Sequence, residues 1–404
     1  MSARYPHPSV FLFLIVPFGA MSGYLSVAVA YQLSQHGIGV EAVAALIASS
    51  VLPHTWKFAW APVVDTTLSR KAWYLVGSLL SGLGILATGL VPAAAENLSL
   101  LSTIVLVSSF GSTFLGMATE SLMAYGTREE QRGRAGGWFQ AGNLGGGGIG
   151  GGAGLWLAER LPAPWMSSAL VALVCLLCAF ALLWLQEEPA AEQRAGALAS
   201  VAFVLKDLWR VVRARSGALA LLLCFLPIGA GAASGLWSAV AGDWHASGDT
   251  VALVTGVVGG LVSALGCLVG GWLCDRLDRK LAYAIYGVLQ ALCAVAMAVA
   301  PRNEIMYIVF TSLYSFITGL TYAGFSAVVL EAMGLGAAAT KYSVFASLSN
   351  TPIWYMTLAD GWAQARWGSG GMLEAEAACC MLGLLFFLGV RLLVRVPGSQ
   401  SAQS

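Results

Sequence analysis

Residues 134–154, RAGGWFQAGNLGGGGIGGGAG, decide how the rest of this sequence is interpreted. A glycine-rich loop that cradles phosphate lies between a strand and an amphipathic helix, and neither flanks this stretch. In water, each glycine weakens a helix by about 1 kcal/mol relative to alanine. In lipid, backbone groups have no water to bond, so the helix is enforced, and small residues let another helix approach closely. We therefore predict a membrane helix at 134–158 that packs tightly along one side.

The overall composition agrees with a chain that lies mostly in lipid. Of its 404 residues, 58% are hydrophobic and only 10% are charged, whereas a soluble domain carries about 25% charged residues. The formal net charge of +1 predicts no nucleic-acid partner. The eight cysteines show no metal-binding spacing, and no set of residues suggests a catalytic centre. We therefore expect neither a cofactor, nor a metal, nor an enzyme.

Apolar segments about 20 residues long, enough to cross a bilayer, recur along the chain. They predict an all-α polytopic membrane protein with twelve spans, at residues 10–33, 40–64, 72–92, 98–125, 134–158, 165–186, 218–241, 250–274, 280–300, 304–332, 341–366 and 371–394. With both termini in the cytoplasm, the outer connections hold only Arg160, Arg302 and Arg366, while most other basic residues lie inside. This bias predicts the orientation of the chain.

The second half of the sequence echoes the first. Two sets of residues match at one constant offset: Arg134, Trp138 and Asn143, and then Lys341, Phe345 and Asn350. The echo predicts two pseudo-symmetric bundles of six helices, at 1–186 and 218–404. The connection at 187–217 is polar and then mixed, which suits a cytoplasmic linker with a short helix on the membrane surface. A solvated linker is the alternative.

Two loops carry a further resemblance. GGWLCDRLDRK at 270–280 and the more divergent APVVDTTLSRK at 61–71 follow the eighth and second spans. With twelve spans and two halves, they make the chain similar to the major facilitator superfamily (MFS). That resemblance implies transport by alternating access. It also implies a latch on the inner side of the two halves, formed by Asp65, Arg70, Lys71, Arg134, Asp275, Arg276, Arg279, Lys280 and Lys341.

Within that superfamily the chain resembles the peptide, acetyl-CoA and drug branch. LPHTWKFAWAPVVD at 52–65 and AATKYSVFASLSN at 338–350 are similar to motifs of this branch. The branch includes muropeptide permeases of the AmpG type and siderophore permeases. The resemblance implies a substrate like a muropeptide, a siderophore or an acyl-CoA.

Ionisable residues within spans are costly and mark functional sites by default. Lys57 meets an anionic substrate, pairs with an acid across the bundle, or extends to the lipid headgroups. Glu120 is either a proton carrier or the static partner of Lys57. Asp360 is a second candidate for proton coupling, or part of an outer gate. Polar and aromatic residues at cavity positions are the candidates for substrate binding: Tyr24, Tyr31, Gln32, Lys57, Gln140, Asn143, Trp237, Tyr314, Tyr322 and Asn350.

These observations predict a secondary active transporter of the bacterial inner membrane, with both termini cytoplasmic. Its partners are the bilayer, a small organic solute that is anionic or amphiphilic, and protons, and we expect a monomer. Proton-driven import is the first interpretation. A proton-coupled exporter of drugs or metabolites, and a receptor with this fold that does not transport, are the alternatives.

Overall fold

A computed structural model describes residues 6–127, 131–186, 213, 215–274, 276–333 and 338–393, with only the backbone given at some positions near their edges. Helices joined by short turns make up these ranges, which contain no strand. They form twelve membrane-crossing helices in two bundles, as the sequence predicts. The linker falls almost wholly outside the described residues, so its surface helix and the two domain boundaries stay predictions.

The helices are numbered α1 to α12 in chain order. The first half contains α1 (Val10–Gln35), α2 (Val40–Thr66), α3 (Arg70–Leu90), α4 (Leu98–Gly126), α5 (132–158) and α6 (Pro164–Trp184). The second half contains α7 (215–244), α8 (Gly248–Cys274), α9 (Arg279–Val299), α10 (Glu304–Met333), α11 (338–367) and α12 (369–393). Gly368, at φ 69°, separates the last two. Eight described stretches qualify as membrane spans by length and hydropathy, and the last of them, Val344–Leu392, covers both α11 and α12.

Helix packing repeats between the halves. The neighbours α3–α4, α3–α6 and α2–α4 in the first half correspond to α9–α10, α9–α12 and α8–α10 in the second. Each pairing shifts by six helices, which is what a duplicated bundle requires. Glycines make several of these crossings close: Gly77 of α3 lies against the backbone of Gly111, and Gly266 of α8 lies against that of Phe316.

The glycine-rich helix α5 packs tightly on two sides rather than one. Gly142, Gly146 and Gly150, four residues apart, lie against backbone carbonyls of α1, where a side chain would overlap them. Gly152 points the other way and meets Gly256 of α8, in the opposite half. The stretch that predicted close packing therefore fixes both the interior of the first bundle and its contact with the second.

The seventh span is interrupted, whereas the sequence predicted a continuous helix at 218–241. The helix Arg215–Phe225 ends, and short helical turns resume only at Ala232. Pro227 lacks a backbone N–H, and Gly229 and Gly231 have φ of 66° and 68°, which ordinary helix excludes. Tyrosine hydroxyls donate to the freed carbonyls: Tyr355 to Phe225 at 2.8 Å and Tyr283 to Ile228 at 2.6 Å. The break is thus part of the fold, because side chains bond the backbone groups that it frees.

The molecule has two ends across the membrane. We call the end with the turns after α2, α4 and α8 the basic face, and the end with the turns after α1, α5 and α7 the distal face. On the distal side the halves touch at backbone level, where Gly256 meets Gly152 and Gly361 of α11 meets Ala44 of α2. The structure is therefore the conformation in which the distal side is closed.

Candidate functional site

A cavity of about 340 Å³ lies between the two halves. Helices α1, α2, α4 and α5 line it from the first half, and α7, α10 and α11 line it from the second. Its wall combines apolar side chains with a large number of small hydrogen-bonding groups. The hydroxyls include those of Ser22, Ser26, Ser50, Ser109, Ser112 and Ser234. A cavity shared by both halves is where alternating access places a transported solute.

The described lining of this cavity contains a single charged side chain, that of Lys57. Lys57 and His54, one turn apart on α2, belong to its wall, and no carboxylate does among the described residues. His54 packs edge-on against Phe18, with ring centroids 5.3 Å apart. The Lys57 side chain is only 13% exposed, so its charge acts in a medium that screens it weakly.

Lys57 also has a protein partner. Its Nζ lies 3.8 Å from Oε1 of Glu120 on α4, and the Glu120 side chain is 45% exposed. The contact is an ion pair too long for a good hydrogen bond. A pair of this length with one exposed member is weak. An anion that enters the cavity can therefore compete with Glu120 for the ammonium group.

The structure brings some of the predicted binding residues to this cavity and leaves others apart. Asn143, Asn350 and Tyr322 line it together with Lys57. Asn350 donates from Nδ2 to the Ala346 carbonyl at 2.8 Å, so its amide oxygen remains available. Gln140 is exposed on α5 and does not belong to the lining.

The remaining candidates are embedded within the bundles. Tyr24 and Tyr31 are buried in α1, and Gln32 beside them is half-buried. Trp237 is buried in α7, edge-on to Tyr314 of α10 at 5.1 Å between ring centroids. These four aromatic residues lie outside the lining of the central cavity. They pack the helices that form its wall.

Asp360 of α11 belongs to a second polar cluster, which includes a residue that the sequence analysis missed. Glu376, two turns into α12, accepts a hydrogen bond from the Tyr314 hydroxyl at 2.5 Å. Both carboxyl side chains are buried, and they interact electrostatically. The signal that was overlooked is the pair Glu374 and Glu376: two positions apart on one helix, they face different sides, and only Glu374 is exposed.

Ion pairs link the halves at the distal face. Arg160, after α5, donates to both carboxylate oxygens of Asp249 at 2.8 and 3.1 Å. Arg366 at the end of α11 lies 4.0 Å from Glu41 at the start of α2. Each arginine also stacks on a tryptophan of its own helix, at 4.5 and 4.2 Å from the ring centroid. All four charged side chains are well exposed, so each pair contributes at most about 1 kcal/mol.

Comparisons with known proteins now settle the family. The model of the Major Facilitator Superfamily matches residues 9–353, most of the chain. The chain belongs to this superfamily. Among solved structures, the fold is similar to the xylose transporter XylE from E. coli in a partially occluded inward-open conformation, with TM-score 0.71, 13% identity, and 98% of this chain and 100% of that chain covered.

Other solved structures share the superfamily fold. A POT family transporter in complex with 5-aminolevulinic acid gives TM-score 0.70 and 13% identity, with 96% of this chain and 97% of that chain covered. A mutant of the nucleoside transporter NupG gives 0.70 and 12%, with 94% and 98% covered. At these identities the likeness establishes the fold alone. No curated protein sequence matches the chain.

The superfamily latch is described only in part. The side chains of Asp65, Arg134 and Lys341, and all of Asp275, lie outside the described residues, so their pairing stays a prediction. Lys71 donates to the Leu185 carbonyl at the end of α6, at 2.6 Å. Arg70 lies over the ring of Tyr125 at 4.0 Å, and Arg276 lies over Trp272 at 3.7 Å. Arg279 and Lys280 begin α9.

Proposed function

We propose that this protein is a secondary transporter that moves a small organic anion through the central cavity by alternating access of its two halves. Membership of the superfamily supports transport in general. The observation that carries the substrate class is Lys57, a mostly buried cation in a cavity whose described lining holds no carboxylate. An anionic group pairs with the ammonium, and the surrounding serine and asparagine groups bind hydroxyl or amide groups of the same solute.

The cavity volume narrows the choice of substrate further. About 340 Å³ lies at the small end of ligand pockets, which run from about 300 to 1,000 Å³. This size favours a compact hydroxylated or amino-substituted acid over the muropeptide, siderophore or acyl-CoA-like solutes that the branch resemblance implies. Sugar acids and hydroxy acids are the first compounds to test.

The Lys57–Glu120 pair supplies a route to proton coupling. A substrate anion that pairs with Lys57 displaces Glu120 from its ion-pair partner, and in this proposal Glu120 is the group that carries the proton. Anion and proton then travel together, which is symport. Release of the proton restores the pair and expels the anion. In this scheme the coupling step is the exchange of one partner of the Lys57 ammonium group, Glu120, for another, the substrate anion.

In this proposal the basic residues indicate the orientation of the chain. By the positive-inside rule we take the basic face as cytoplasmic and the closed distal face as external. The conformation described here is then inward-facing, and a proton gradient directed inward drives import. Export would instead require antiport, in which the solute leaves as the proton enters.

Counterflow in proteoliposomes tests the proposal. A thermal-shift screen of sugar acids and hydroxy acids first selects a ligand, which is then used in radiolabelled form. We expect Lys57→Gln to abolish counterflow, Lys57→Arg to retain part of it, and Arg391→Gln, a charge change at an exposed site on α12, to leave it unchanged. Full counterflow in Lys57→Gln would disprove the role of the cation. Ligand binding without counterflow in the parent protein would support the receptor alternative.

A further inference from the structure

We propose that the break in α7, together with Glu376, Asp360 and Gln290, forms a buried binding site for one small monovalent cation, a sodium ion or a proton. The site lies in the second half, apart from Lys57 and Glu120. It deepens the proposed function because it identifies where a coupling cation binds, and it rests on that function only for its effect on transport.

Glu376 accepts hydrogen bonds from several donors beside the break. Oε1 accepts from the Tyr314 hydroxyl at 2.5 Å and from the backbone N–H of Ala233 at 3.3 Å. The N–H of Ala232 is a further donor. These N–H groups begin the helical turn that follows the break. Oε2 of the same carboxylate has no donor among the described residues.

Two other buried side chains also have oxygen atoms without a hydrogen-bond donor among the described residues. Asp360 is fully buried, and neither of its carboxylate oxygens meets a donor in the described part of the chain. Gln290 on α9 is 4% exposed and donates from Nε2 to Thr318 at 3.2 Å, which leaves its Oε1 without a partner. A buried oxygen without a donor costs free energy. An amide oxygen is a ligand for hard cations, just as carboxylates are.

In the part of the chain that the structure describes, the titratable groups around the two carboxyl groups supply no positive charge. Those that interact electrostatically with the carboxyl pair are Tyr314 on α10, Cys293 on α9, and Cys379 and Cys380 on α12. All four are neutral in their ordinary form. Two buried carboxylates that interact electrostatically, with no counter-charge among the described residues, carry a penalty of several kcal/mol per ion. A bound cation removes this penalty.

Two small cavities lie between the central cavity and Glu376. A cavity of about 50 Å³ shares Tyr322, Asn350 and Ile353 with the central one. A third, of about 10 Å³, shares Gly229 and Ala230 with the second and is lined by Gln290 and Glu376. A space of about 10–15 Å³ is what one water-sized particle needs. Residues of the α7 break therefore line all three cavities between the substrate site and the Glu376 carboxylate.

The same contacts couple the site to the wall of the central cavity. Ala232 and Gly235 line that cavity, while Glu376 holds the backbone of the same turn from behind. On α11, Thr357 lines the cavity one turn before Asp360. A cation that draws the two carboxyl groups together therefore moves both wall elements. Cation occupancy and substrate binding then influence each other.

Thermal unfolding of the full-length protein in detergent, without substrate, tests the site directly. One arm titrates sodium chloride against choline chloride at fixed alkaline pH, and the other varies pH without sodium. We expect a saturable rise in Tm in one arm, and Glu376→Gln and Asp360→Asn should each abolish it. Glu374→Gln makes the same substitution on the exposed side of α12 and should retain the full response.

The two arms identify the cation. A response to sodium that Gln290→Met also removes assigns a sodium ion, because the amide oxygen is then a ligand. A response to pH that persists in Gln290→Met but not in Glu376→Gln assigns a proton. The proposal is overturned if neither arm responds in the parent protein, or if the response survives neutralisation of both carboxyl groups. These outcomes are independent of counterflow, so loss of the Lys57 proposal would leave them intact.

Discussion

Replacing Gly256 with alanine places a methyl group between the two halves of the molecule. The new Cβ would lie 2.5 Å from Cα and 2.6 Å from the backbone nitrogen of Gly152. Both are backbone atoms of α5, so no side chain can rotate away. The distance must grow by about 1 Å to reach an ordinary contact of 3.5–4.0 Å between carbon atoms. This overlap exists only while the distal side is closed.

The size of the effect follows from the cost of overpacking. An added methyl group in a filled contact typically costs about 1–3 kcal/mol. Because the cost falls on one conformation, the equilibrium between the distal-closed and distal-open states shifts by the same amount, about 5- to 150-fold. We therefore expect Gly256→Ala to populate the distal-open state, and substrate to become accessible from that side.

Spin labels on the distal face can measure this shift. Glu96, before α4, and Asn303, before α10, are exposed and belong to different halves. In a cysteine-free background, spin labels at these two positions report the distance between the halves by double electron–electron resonance. We expect a longer-distance population to appear in Gly256→Ala.

Two glycine substitutions serve as matched controls. Gly271→Ala lies on the same helix with no atom within 4 Å of the new Cβ, so it shares the gain in helix propensity without the clash. Gly150→Ala meets the Ala20 carbonyl within the first half, and it should lower Tm without separating the halves. Identical distance distributions for Gly256→Ala and Gly271→Ala would refute the reasoning.

Three further predictions follow from the described contacts. Glu120→Gln should abolish accumulation driven by a pH gradient yet retain counterflow, measured in the same proteoliposomes; pH-driven accumulation that persists would exclude its role in coupling. Arg160→Gln and Asp249→Asn should each shift the equilibrium toward the distal-open state by less than about 1 kcal/mol. A double-mutant cycle, measured with the same spin labels, should show coupling between the two substitutions. Additive effects would mean that the pair does not hold the halves together. Gly231 has φ 68°, and the Cβ of Gly231→Ala would lie 3.2 Å from Gln290 Nε2, so this substitution should lower the free energy of unfolding by about 1 kcal/mol or more and weaken the cation response. Gly242→Ala in the same span has open space around its Cβ and serves as the control. Equal Tm values for the two variants would contradict this prediction.

The sequence by itself determined the membrane class, the twelve spans and the duplicated arrangement. Hydropathy and small-residue spacing are properties of local segments, and lipid leaves the backbone little choice except helix. The glycine run at 134–154 predicted close packing for the same reason, since the absence of side chains is visible in the sequence. Lys57 and Glu120 stood out because charges within apolar spans are costly.

Only the tertiary structure decided which polar groups meet. Tyr314 and Glu376 are separated by 62 positions, and Ala233 and Glu376 by 143, and no local pattern shows that such residues meet. The rotation of each helix decides that Glu376 is buried while Glu374 is exposed, and that Gly152 faces the other half while Gly150 faces α1. Lipid makes nearly every face of a span apolar, so the amphipathic signal that orients helices in soluble proteins is weak here. Packing between helices, rather than the sequence of any one of them, therefore sets the site.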